Sequence, residues 1–126
     1  MTVKELKDMF LLVNEDWKIK LQKWEHITKE EQDANGYWPN MVGVKVKSVF
    51  HNSQKKPNDL IYTFEESYND FILDRDNMID FFCANLNDDV NLDFRLSAED
   101  GDHFLRLVFA DKGYSDKVCV FNLDEH

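Results

Sequence analysis

The stretch from Val90 to Ser97 constrains the fold more than any other part of the chain. Val90, Leu92, Phe94 and Leu96 alternate with Asn91, Asp93, Arg95 and Ser97. A period of two places each set on its own face of a pleated strand, the pattern of a strand with one face buried and one wet. The alternation recurs from Trp17 to Gln22, from Val42 to Phe50 and from Leu60 to Glu65, while Phe104 to Ala110 and Lys117 to Leu123 read as two further strands. A chain with so many one-sided strands must cover their apolar faces with one another or with helices.

Two runs have helical spacing instead. Thr2 with Glu5 forms a capping box, and Val3, Leu6, Met9, Phe10 and Val13 follow on one face until Asn14-Glu15-Asp16 ends the run. Met78, Ile79, Phe82, Cys83 and Leu86 supply a second apolar face, capped by Asp74 or Asp76. Within the long connection 25–41, Thr28 and Glu31 form another capping box, predicting a short helix over Lys29 to Ala34 that Asn35-Gly36 stops. Residues 66–74 read as a loop.

The predicted fold class is α+β, with two helices and about six strands in antiparallel meanders. An offset of 73 aligns Val13 to Leu21 with Leu86 to Phe94, matching helix end, acidic turn and strand. The pattern suggests a tandem α-β-β-β repeat within one domain spanning 1–126, with halves at 1–73 and 74–126. For the second meander, pairing Leu96 with Leu105, Phe94 with Leu107 and Leu92 with Phe109 keeps apolar residues together. That register leaves Asp93, Arg95, Phe104, Arg106, Val108, Cys119, Phe121 and Leu123 on the opposite face. So mixed a face predicts a cover.

Composition bears on function through charge. The net charge is −10, but residues 1–56 carry +2 and residues 57–126 carry −12. Phosphate backbones and anionic membranes require clustered Lys and Arg, so direct nucleic-acid binding and membrane association are not expected. The longest N-terminal apolar run, Met9 to Val13, is too short for a signal peptide, and no stretch is long enough to cross a bilayer. Cys83 and Cys119 lie among apolar residues and read as buried small hydrophobes in a reducing cytoplasm.

Motifs for chemistry are missing. EF-hand spacing fails, because Leu92 and Ala98 stand where Gly and Glu are needed after Asn87, Asp89 and Asn91. His26, His51, His103 and His126 are isolated in sequence from one another and from both cysteines, so no metal or other cofactor is expected. Neither cysteine has the electropositive, exposed setting of a nucleophile, and four scattered Gly make no phosphate loop. No catalytic residues are expected.

What remains is surface. Asp88, Asp89, Asp93, Glu99, Asp100 and Asp102 crowd one strand and its two flanking turns, a negative field suited to steering a basic partner. Tyr37 and Trp38 are candidate anchors in the long connection. The opening Met1-Thr2-Val3-Lys4-Glu5-Leu6, with its short helix, acidic turn and alternating strand, resembles small acidic α+β accessory proteins of Gram-positive phages and mobile elements over about the first 22 residues. The resemblance implies a cytoplasmic protein that blocks a host defence, such as CRISPR or restriction enzymes, by occupying a DNA-binding surface. The expected function is therefore a non-enzymatic acidic binding protein whose partner is a basic, nucleic-acid-binding protein surface. An immunity or antitoxin protein against a basic toxin, or an enzyme with a site gathered from scattered residues, are the alternatives. Oligomeric state is not encoded in any visible pattern.

Overall fold

Local signals at the N-terminus act as the sequence predicts. In a computed structural model describing residues 1–33, 38–52 and 59–125, the Thr2 hydroxyl accepts from the Glu5 amide at 3.2 Å and the Glu5 carboxylate accepts from the Thr2 amide at 3.1 Å. That box opens helix α1 (Val3–Leu11), whose buried residues are Val3, Leu6 and Phe10. Next come strand β1 (Lys18–Trp24), helix α2 (Lys29–Asp33), and strands β2 (Met41–Asn52), β3 (Asp59–Ser67) and β4 (Phe71–Asp74). Helix α3 (Arg75–Cys83) and strands β5 (Asn91–Ala98), β6 (Gly101–Gly113) and β7 (Val118–Glu125) complete the chain.

The architecture overturns the α+β expectation. The molecule is mostly β, with 54% of its residues in strands, and six strands close into a barrel with one strand added. Around the barrel the order is β2-β3-β5-β6-β7-β1, and β1 returns to β2 through Gln22↔Gly43, Lys23↔Val42 and Trp24↔Met41. Two seams are parallel: β3 with β5 (Tyr62↔Phe94) and β7 with β1 (Cys119↔Ile19). Alternation along a strand reports which face is buried, not which strand pairs with each edge, so the sequence pattern could not reveal these seams.

Further expectations are corrected. The element order is α-β-α-β-β-β-α-β-β-β, in which α2 lies within the connection 25–41 and β4 is an added strand before α3. The segment read as a loop at 66–74 instead holds the end of β3 and all of β4, which pairs antiparallel with the first half of β1 from Lys18↔Asp74 to Leu21↔Phe71. Asp74 occupies the N-cap of α3 without a side-chain cap hydrogen bond, and the Asp76 carboxylate instead accepts from Arg75. The β5–β6 hairpin is two residues tighter than predicted, with Phe94↔Leu105 and Leu96↔His103. A slip of two keeps every side chain on its face, so hydrophobic matching alone cannot distinguish these registers.

Cys119, Phe121 and Leu123 do not share the outer face with Asp93 and Arg95. Leu107↔Leu123 and Phe109↔Phe121 are direct partners, so β7 turns the same face inward as β6, and all three residues are buried. Of the remaining outer face, Asp93, Arg95 and Val108 are half-buried and Arg106 is exposed. Phe104 is exposed there, under the Arg95 guanidinium at 5.1 Å from its ring centre.

Parallel pairing gives β1, β3, β5 and β7 one common direction, with β2 and β6 running back. Their starting ends meet the helices. Phe10 of α1 packs edge-on against Phe121 at 5.1 Å, and Phe82 of α3 packs against Tyr62, Phe94 and Phe64 at 5.0, 5.7 and 6.3 Å. The Tyr62 hydroxyl donates to the Phe82 carbonyl at 3.1 Å, satisfying a buried polar group. Arg75 donates to the Val13 carbonyl at 3.0 Å and ties the start of α3 to the end of α1. Gly43 has no substitute: a Cβ there would collide with the Asn69 carbonyl, where the chain turns from β3 into β4. Among the described residues, no helix is long and apolar enough to cross a membrane.

Candidate functional site

The opposite end of the barrel is polar on β1, β3, β7 and β6. On β1 the inward series Ile19, Leu21 ends in Lys23; on β3, Tyr62 and Phe64 lead to Glu66; on β7, Phe121 and Leu123 lead to Glu125. On β6, running the other way, His103 precedes inward Leu105 and Leu107. Each strand's period-two phase thus delivers one polar side chain to the same end of the barrel.

Lys23 is wholly buried. A lone buried ammonium costs several kcal/mol, so partners are required. It donates to its neighbour's carbonyl at Trp24 and to Glu66 Oε2 at 2.8 Å, and lies 3.8 Å from Glu125 Oε2. The same Glu66 oxygen accepts from the His26 backbone amide at 2.7 Å. One carboxylate therefore fixes both the buried cation and the backbone that carries the first histidine.

His26 stands between two carboxylates. Its Nδ1 faces Glu125 at 2.8 and 3.0 Å, and its Nε2 faces Asp100 at 3.0 and 3.1 Å. Burial opposes protonation of His26, but hydrogen bonds and attraction from Asp100 and Glu125 outweigh it and raise its pKa above the ordinary histidine value. His103 Nε2 reaches Asp100 Oδ1 at 2.7 Å, and the two imidazoles lie 4.4 Å apart at a 40° tilt. Hydrogen bonds from His103 and His26 pull the Asp100 pKa below the usual carboxylate value. Asp100 reaches both rings because it sits in the two-residue turn between Ala98 and Gly101, whose φ of +117° favours glycine.

Beside this cluster opens a cleft of about 640 Å³. Among the described residues, Glu25, Glu31, Glu65, Glu66, Glu99 and Lys47 line it.

The residues predicted from sequence do not form one patch. Asp88 and Asp89 are exposed before β5, where the Asp88 carboxylate accepts from Lys7 at 3.1 Å. Asp93 lies midway along the outer face and accepts from Asn91 at 3.0 Å. Glu99, Asp100 and Asp102 stand at the opposite end of β5, in the turn and at the start of β6. Trp38 is exposed, whereas Tyr37 lies outside the described residues. Only Asp100 joins the histidine cluster.

His26 and His103, isolated in sequence, are neighbours in space. His26, Asp100 and His103 bring three potential ligand atoms within 4.8 Å of one another. Their spacing along the chain gives no motif. The legible signal is the polar residue at one end of each inward apolar series, which becomes informative once β1, β3 and β7 are known to finish where β6 begins. Comparison with family models, with curated proteins and with solved structures gives no match, so the chain's function must be argued from this site.

Proposed function

We propose that the protein is a non-enzymatic acidic binding protein of the cytoplasm that docks the polar end of its barrel against a basic protein surface. The observation that carries the reading is the cleft beside His26, lined among the described residues by five glutamates and Lys47, of which Glu66 is paired with Lys23 and Glu65 with Lys45. Glu99, Asp100 and Asp102 extend the same negative field onto the hairpin tip, and such a field accelerates encounter with a basic partner while repelling nucleic acid. A nucleic-acid-binding surface of a host-defence nuclease has the required charge, and its occupation would block access of DNA. The N-terminal resemblance to phage accessory proteins supports the same class of partner.

The test is capture from host extract with the wild-type chain and with a Glu31→Gln/Glu65→Gln/Glu99→Gln variant, followed by association kinetics on the captured protein at two salt concentrations. The reading expects a basic nucleic-acid-binding protein that loses DNA binding in the complex, with an association rate that falls at least tenfold in the variant and falls with salt for the wild type. An unchanged rate, or a partner that still binds DNA, overturns it.

A further inference from the structure

We propose that His26, Asp100 and His103 form a binding site for one divalent first-row transition ion of the Zn²⁺ type, with Glu125 orienting His26 from behind. The site is independent of any protein partner at the same end of the barrel.

Donor chemistry is the first argument. Two imidazole nitrogens and a carboxylate oxygen suit Zn²⁺ and its neighbours, whereas Mg²⁺ and Ca²⁺ require oxygen ligands throughout. The second argument is spacing. Zn–N and Zn–O bonds of about 2.0–2.2 Å place tetrahedral ligand atoms roughly 3.3–3.5 Å apart. Asp100 Oδ1 lies 3.0 Å from His26 Nε2 and 2.7 Å from His103 Nε2, and the three ligand atoms lie within 4.8 Å of one another, so the side chains must spread and turn towards a common point to admit the ion.

The supporting residues are the third. A metal-bound histidine needs its second ring nitrogen held by an acceptor, which fixes the tautomer and aims the lone pair. Glu125 does this at His26 Nδ1 at 2.8 Å, and Glu125 also lies 3.8 Å from His103 Nδ1. Lys23, wholly buried, holds the carboxylates of Glu66 and Glu125, and Glu66 holds the His26 backbone. An array of this kind restrains the ligand histidine in advance.

Charge is the fourth. Asp100, Glu66 and Glu125 against Lys23 leave two net negative charges when both imidazoles are neutral, which one dication balances. Three protein ligands also leave a fourth position for water or for a group from outside, the arrangement of an open site.

The experiment is calorimetric titration of the tag-free, chelator-stripped chain with Zn²⁺, and with Co²⁺ monitored by its visible absorption. The expected result is one equivalent bound with micromolar or tighter affinity, and intense Co²⁺ bands of four-coordinate nitrogen and oxygen ligation. His103→Asn and Asp100→Asn should each weaken Zn²⁺ at least 100-fold, and Glu125→Gln about 10–100-fold. Glu15→Gln, an exposed acid elsewhere, should bind as the wild type does. Circular dichroism identifies any variant that fails to fold, in which case His26→Gln replaces it. Absence of stoichiometric binding by the wild type, or Zn²⁺ affinity retained by folded histidine variants, overturns the site.

Discussion

The two ends of the barrel obey different rules. At the starting ends of β1, β3, β5 and β7, aromatic rings from α1 and α3 meet rings from the strands, and the polar atoms there are satisfied locally. At the finishing ends, a buried ammonium, two imidazoles and three carboxylates satisfy one another. Ionisation shows the contrast. Cys83 in α3 has its thiol pushed up to about 11, chiefly by burial. His26 experiences burial too, but its carboxylate partners dominate and raise its pKa instead. One end is built by excluding water, the other by fixing charges that water would otherwise solvate. Side-chain area buried supports the first, and neither partner of a charge pair can be lost cheaply at the second.

The largest effect should come from removing the ring on which the apolar end converges. Phe82 touches Tyr62, Phe64, Phe71, Phe81 and Phe94. Phe82→Ala is expected to cost about 3–5 kcal/mol in denaturant unfolding, from lost transfer energy and the cavity left behind. A loss below about 1 kcal/mol would mean that the helix does not close this end.

At the polar end, Lys23→Ala should cost about 3 kcal/mol, since it strands Glu66 and Glu125 without their counter-charge. Lys23→Met keeps most of the stem while losing the charge, so comparing the two separates packing from electrostatics. If Met restored full stability, the ammonium would be dispensable and the two ends would not differ in kind.

Cys83 sharpens the contrast through pH. With the folded thiol near 11 against an ordinary value of 9.0, the thiol form is favoured by folding. The stability it contributes is present below about pH 9 and is lost as the pH rises towards 11. The thiolate is the nucleophile, so iodoacetamide labelling at pH 8 should be roughly 100-fold slower in the folded chain than in denaturant. Mass spectrometry of quenched samples measures it. Equal rates would show that Cys83 is neither buried nor shifted.

How much of this was legible in the sequence depends on the range of the interaction. Helix α1 was legible because Thr2 and Glu5 cap it locally, and β5 because its alternation spans the whole strand. The short α2 followed from Thr28 and Glu31, whose contact is also local: the Thr28 hydroxyl accepts from the Glu31 amide at 3.2 Å. Barrel closure was not legible, because Ile19 and Cys119 are partners a hundred residues apart across a parallel seam. The four-residue β4 was not either, since its pairing with β1 is what makes it a strand. For the site, Asp100 was singled out for its charge alone. His103 is marked only as the polar residue before inward Leu105 and Leu107, and His26 gave no signal, because nothing near it in sequence needs a histidine.

The smallest effect on stability, and the most selective, concerns the turn that carries Asp100. Gly101 has φ +117° and open space where a Cβ would lie. Gly101→Ala therefore meets no steric neighbour, and its cost is purely conformational, about 1–2 kcal/mol for an L-residue in this region. The chain can escape part of that cost by relaxing the turn, which would draw Asp100 away from both imidazoles. Unfolding should then register a modest loss, while the His26 and His103 ring resonances shift as their shared carboxylate leaves. Phe10 and Phe82, at the far end of the barrel, should keep their chemical shifts. A Gly101→Ala chain with the same modest destabilisation but unmoved histidine resonances would show that the turn does not position Asp100. Resonances that moved at both ends alike would show that the two ends are not independently built.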